Sequence, residues 1–182
     1  RRAAAVPFKR IKLDGSKFDL SGFFGSRRMR GLSSLKMFGC RLSEKAGLAL
    51  VSRAADSLTE VTCLWSVPYS SFICTILRHC HHLRELVVFT CEDQFLQDIS
   101  DEALDQNADA SFDERPVEAR APGPVYQDLV FLRLQCDWSS ERSVLQLQGF
   151  LDRCPQLGYA VIPRFCKNRI ILNPRVKVIY DR

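Results

Sequence analysis

Two stretches of the chain, LSSLKMFGC at 32–40 and LRELVVFTC at 83–91, share one frame, LxxLxhxxC, in which h is apolar. Shorter copies run through Leu58-Thr59-Glu60-Val61-Thr62-Cys63 and Leu129-Val130-Phe131-Leu132-Arg133-Leu134, and weaker ones lie at 8–13 and 157–162. The central apolar positions Ile11, Leu35, Val61 and Leu86 are 24, 26 and 25 residues apart, and Leu132 to Ala160 is 28. A steady period of this length means one supersecondary unit used repeatedly, and a unit so small buries its apolar face only against its neighbours. The interval from Leu86 to Leu132, 46 residues, is one period with an insertion inside it.

Helical patterns fill the spaces between the frames. Ser43 is an N-cap candidate, and Ala46, Leu48, Leu50, Val51 and Ala54 after it fall largely on one side of a helix. The stretches 69–80 and 140–154 behave alike, the second with Val144, Leu147, Phe150 and Leu151 at three- and four-residue steps. Each unit therefore reads as strand, turn, helix, and the fold class as α/β. An irregular α/β sandwich that mimics the period is the structural alternative.

The segment Cys80-His81-His82-Leu83-Arg84-Glu85-Leu86-Val87-Val88-Phe89-Thr90-Cys91 fits CxxLxxLxhxxC, and Cys154-Pro155-Gln156-Leu157 repeats its opening. Cys40-Arg41-Leu42-Ser43-Glu44-Lys45-Ala46-Gly47-Leu48 looks like the turn that leads such a frame into its helix. In these features the chain resembles the leucine-rich repeat family, and more narrowly the cysteine-containing subclass found in F-box substrate receptors. The resemblance implies a short solenoid of about six irregular strand–helix units, a single domain over 1–182. It also implies a protein partner, ubiquitin-ligase components among the candidates. A helical LPxE-type opening of the F-box kind is not visible in the sequence.

The eight cysteines allow three readings, disulfides, metal ligands or buried thiols, and a secreted disulfide scaffold is usually smaller and poorer in aliphatic residues. Zinc ribbons and fingers need short-spaced pairs, and the chain has no CxxC. The expectation is free thiols packed as small apolar side chains, with His79, His81 and His82 at a solvated helix-to-strand corner. No metal or cofactor is expected. No run of about 18 uncharged apolar residues is present, so neither a membrane span nor a membrane partner is expected, and the chain reads as intracellular, cytoplasmic or nuclear. The start lacks a signal peptide's apolar core and an initiator Met, which reads as a boundary within a longer chain.

Charge is distributed unevenly. Residues 92–122 carry ten acids against two arginines, a local net of −8, and the remainder carries 24 basic and 11 acidic residues, a net of +13. The acidic insertion at 92–125 reads as a partly flexible surface loop, or as a flap competing with an acidic ligand for the basic positions of the body.

Side chains alternate along a strand, so the positions flanking the buried pair of each frame point outward. They form three columns. The first runs Arg10, Ser34, Glu60, Glu85, Phe131, Tyr159; the second Lys12, Lys36, Thr62, Val87, Arg133, Val161; the third Asp14, Phe38, Leu64, Phe89, Gln135, Pro163. Phe38, Leu64 and Phe89 should stand side by side with Trp65 nearby, an outward apolar stripe of the kind that marks contact surfaces. These four, with Lys12, Lys36 and Arg133 for charge complementarity, are the candidate partner-binding residues.

Catalysis finds little footing: there is no Gly-rich phosphate loop, no GxSxG and no HExxH. The run AVPFKRIKLD is similar to a short nuclear import signal, but Phe8, Ile11 and Leu13 also suit a first, capping strand. The rival to a protein-recognition module, as substrate receptor or adaptor, is a basic nucleic-acid-binding surface, and a structural subunit of a large assembly is a third possibility.

Overall fold

In a computed structural model the described residues are 7–15, 20–41, 43–65, 70–90, 125–136 and 141–181. Their strands are β1 (Arg10–Asp14), β2 (Ser34–Phe38), β3 (Glu60–Leu64), β4 (Glu85–Thr90), β5 (Phe131–Cys136), β6 (Tyr159–Pro163) and β7 (Lys177–Asp181). All seven form one parallel sheet, and their order in space is their order in the chain. Helices α1 (Ser21–Phe24), α2 (Glu44–Ala54), α3 (Ser70–His79) and α4 (Glu141–Asp152) return the chain from one strand to the next. Parallel neighbours require such crossovers, since a tight hairpin joins only antiparallel strands.

The apolar positions of the frame make the core. Ile11, Leu35, Val61, Leu86, Leu132, Ala160 and Val178 face one another across all six strand pairs. A second row, Leu13, Met37, Cys63, Val88 and Leu134, lies two residues further on. From Leu35 to Ala160 the first row is fully buried, and the helices' buried residues, including Leu50, Phe72, Ile76 and Phe150, belong to the same core. Each large aliphatic side chain so placed contributes about 1.5–3 kcal/mol by leaving water.

The strand starts repeat one backbone device. A single carbonyl accepts from two successive amides of the next unit: Lys9 from Ser33 and Ser34, Ser33 from Thr59 and Glu60, Thr59 from Arg84 and Glu85. Arg84 accepts in the same way from Val130 and Phe131, and Val130 from Gly158 and Tyr159. The step from Arg84 to Val130 matches the others although 91–124 lies between them in sequence. The expected insertion, 92–125, falls outside the described residues except for Val125.

Ser43 is the N-cap of α2, its Oγ accepting from the Ala46 amide at 3.2 Å. Ala46, Gly47, Leu50 and Ala54 face inward, but Leu48, placed on the apolar side by the sequence reading, is 48% exposed. Two residues from the Ala46–Leu50 stripe's centre of burial, it lies off the arc that α2 turns to the core. Gly47 is needed where α2 meets α3: a Cβ there would stand 3.1 Å from Thr75 Cβ and 3.4 Å from the Phe72 carbonyl oxygen. Thr75 is itself buried, its hydroxyl donating to the Ser71 carbonyl at 2.8 Å.

A seventh strand goes beyond the six frames in the sequence. β7 has no LxxL opening, yet Val178 and Tyr180 pair with Ala160 and Ile162 and pack against the core. The polypeptide leading to it is tied to α4 by Gln148, whose Nε2 donates to the Ile171 carbonyl and whose Oε1 accepts from the Ile171 amide, each at 2.7 Å.

Candidate partner-binding face

The sheet face away from the core carries the three columns read from sequence, and the register reproduces them. Asp14, Phe38, Leu64, Phe89 and Gln135 are successive partners across β1 to β5. Lys12, Lys36, Thr62, Val87, Arg133 and Val161 form the middle row, and Arg10, Ser34, Glu60, Glu85, Phe131 and Tyr159 the row at the strand starts. Not all members meet solvent: Ser34, Val161 and Pro163 are buried. Flanking strands enclose a short hydroxyl, a valine or a proline ring, whereas longer side chains in the same rows reach out.

Phe38, Leu64 and Phe89 are half-buried, and cations cover two of the rings. Lys12 Nζ stands 4.8 Å from the Phe38 ring centre, and the Arg133 guanidinium 4.7 Å from that of Phe89. Such contacts are worth about 0.5–1 kcal/mol at an exposed site. They hold the cations as a border around the apolar stripe. Lys36 is exposed and in register with Lys12.

Trp65 completes the stripe. Its ring meets Phe89 edge-on at 6.2 Å between centres and remains 68% exposed. The residue has φ 50°, left-handed backbone that a bulky L-residue adopts at a cost. Gly15 and Gly39, each one residue beyond its strand as Trp65 is, have φ 60° and 58°. The same turn thus closes β1, β2 and β3, with glycine in two cases and tryptophan in the third. The candidate residues Phe38, Leu64, Trp65, Phe89, Lys12 and Arg133 are gathered at one end of the face, with Lys36 beside them.

The opposite end holds a group from the first column that is absent from the candidate residues. Phe131 and Tyr159 stack at 5.7 Å and 16°, and Lys177 Nζ lies 5.4 Å from the Tyr159 ring centre. Beside them Glu60 and Glu85 are direct partners on β3 and β4. Together with Arg84 and Thr59 they border an open depression of about 710 Å³. The signal was available in the first column, where two acids are followed by two aromatics.

The cysteines and histidines face opposite ways. Cys40, Cys63, Cys74, Cys80, Cys154 and Cys166 are buried, while His79, His81 and His82 are exposed. His82 Nδ1 lies 3.1 Å from Asp128 Oδ2, across the corner between α3 and β4. Burial pushes the Cys80 and Cys154 thiols up to about 12 and that of Cys166 up to about 11. Cys63 is pushed up further, by burial first and by Cys40 second. Thiols held protonated in this way are poor nucleophiles and poor metal ligands.

The run resembling an import signal forms β1 from Arg10 to Asp14, with Ile11 and Leu13 packed against the core. No described helix is long and apolar enough to cross a membrane. Compared with known proteins, the chain matches no family model, and no curated protein or solved structure matches it significantly.

Proposed function

We propose that the chain is a leucine-rich-repeat-type solenoid whose outward sheet face recognises a protein, as a substrate receptor or adaptor and not as an enzyme. The observation that carries this reading is the stripe of Phe38, Leu64 and Phe89 in register on three adjacent strands, extended by the exposed Trp65 and bordered by Lys12 and Arg133. Aromatic and arginine side chains set among polar neighbours are the typical composition of binding hot spots. The 25-residue spacing and the order-preserving parallel sheet support the repeat assignment. Raised thiol pKa values support a binding role over cysteine chemistry.

A nucleic-acid surface fits less well. Glu60 and Glu85 stand together at the starts of two central strands, where a phosphate backbone crossing that end of the face would meet them. The test is affinity capture from cell extract with the intact chain and with Phe38→Ala/Phe89→Ala, at low and high salt. Proteins retained at high salt and lost in the double variant are the expected result, and ligase components among them would mark a substrate receptor. Nucleic acid that is lost at high salt and indifferent to the substitutions would overturn the reading.

A further inference from the structure

We propose that the partner segment read by this face is bipolar: it places a guanidinium or ammonium group in the depression at the strand starts and an apolar side chain against Phe38, Leu64 and Phe89. This rests on the protein-recognition reading above and adds the chemistry of what is recognised.

Three observations converge on a cation at the depression. Glu60 and Glu85 are direct neighbours in the sheet, with strands about 4.8 Å apart, and like charges so placed repel. Neither carboxylate has a hydrogen bond or ion pair among the described residues. Arg84 also borders the depression, so one cation stands against two carboxylates. Lys36 and Arg133, diagonal to Glu60 and Glu85 on the adjacent strands, belong to the middle row outside the depression's lining, with Arg133 over the Phe89 ring, and Lys177 lies over Tyr159 three strands from Glu85. Arg10 is in the same row but two strands away from Glu60.

The stack supplies the second element. Lys177 over Tyr159, like Arg133 over Phe89, shows how rings on this face receive cations. Phe131 is the direct partner of Glu85, so a cation arriving beside Glu85 meets a ring and a carboxylate together. The volume of about 710 Å³ falls within the range of pockets that enclose small ligands, so an arginine or lysine side chain has room to enter.

The spacing follows from the strand. Glu85 and Phe89 are four residues apart on β4, which at about 3.3 Å per residue separates the two subsites by about 13 Å. A partner is selected when it presents a basic and an apolar side chain at that separation. An anionic segment is repelled from the first subsite.

The experiment is amide correlation NMR on the full chain, titrated with N-acetyl-arginine N-methylamide and, separately, with its citrulline counterpart, which has a similar shape and no charge. Saturable shifts at the Glu60, Glu85 and Phe131 amides are expected with arginine, with at least threefold weaker binding of citrulline. Glu60→Gln/Glu85→Gln should abolish them while the rest of its spectrum reports an intact fold. Phe38→Ala/Phe89→Ala should leave them in place, since those rings lie at the other end of the strands. Thus failed protein capture by the intact chain and failed arginine binding are separable results. Equal binding of citrulline, shifts that persist in the glutamine variant, or no saturable shift at tens of millimolar would overturn the proposal.

Discussion

Trp65 occupies after β3 the left-handed turn position that Gly39 occupies after β2. The turn needs no side chain, and a non-glycine residue there costs about 1–2 kcal/mol. Trp65→Gly removes that strain but also an edge-on contact with Phe89 worth about 0.5–1.5 kcal/mol, and a glycine is less restrained when unfolded. Stability by urea unfolding is therefore expected to stay within about 1 kcal/mol of the parent. Partner affinity should fall at least tenfold, as for an anchor tryptophan. A variant that binds normally would show that the strain serves something other than binding.

Two helical glycines should respond in opposite directions to the same change. In a helix interior Gly→Ala ordinarily gains up to about 1 kcal/mol. Nothing stands within 4 Å of a Cβ at Gly149, so Gly149→Ala should raise the melting temperature. At Gly47 the new methyl meets Thr75, which is β-branched, buried and pinned by its hydroxyl, and behind it backbone oxygen. Gly47→Ala should cost about 1–3 kcal/mol. Equal effects at the two sites in thermal unfolding would mean that α2 and α3 do not approach as closely as described.

The buried thiols predict the alkaline limb of the stability curve. Cys80, Cys154 and Cys166 titrate near 9 when unfolded and at about 12, 12 and 11 when folded. Above pH 9 the unfolded chain loses these protons first and the folded chain keeps them, so stability falls as pH rises from 9 towards 12. Below pH 9 these groups contribute no slope. Chemical unfolding at pH 8, 9 and 10 measures this, and replacing Cys80 and Cys154 by alanine should flatten the decline. Native protein at pH 8 should also leave these thiols unlabelled by a thiol reagent until denatured.

Gln148 fixes the approach to the last strand. Its amide satisfies both backbone groups of Ile171, whose side chain is 84% exposed and contributes little burial of its own. Gln148→Ala should loosen residues 168–176 first, seen as faster proteolysis there, while global stability drops by only about 1–2 kcal/mol. Gln148→Glu should be no better, because a carboxylate cannot donate to the Ile171 carbonyl and stands against Asp152, the amide's other partner at 2.7 Å.

The legible part of this structure is the part that repeats. Leu35, Val61, Leu86 and Leu132 recur at nearly constant spacing because each must meet the next across a strand pair, so their alignment on paper is also the pairing register. Phe38, Leu64 and Phe89 followed from the same alignment. Features that break the period were harder to read. β7 is held by a side-chain clamp and alternating apolar residues with no leucine frame, and Ser34 is enclosed because its neighbours are long. The left-handed backbone at Trp65 was concealed by its side chain, since a tryptophan gives no hint that its position is built for glycine. Cation–ring contacts such as Arg133 with Phe89 depend on diagonal geometry, which column order alone leaves open.

The sheet keeps chain order and spatial order identical, and every strand owes its register to the strand before it. The chain is therefore tolerant of edits in an unusual direction: residues added between two units displace nothing already laid down, provided the next strand re-enters one step further along. The carbonyl of Arg84 receiving Val130 and Phe131 across 45 residues of sequence shows such an edit accommodated. New length can thus accumulate at the joints of this protein while its outward sheet face stays in register, and the two can change at independent rates.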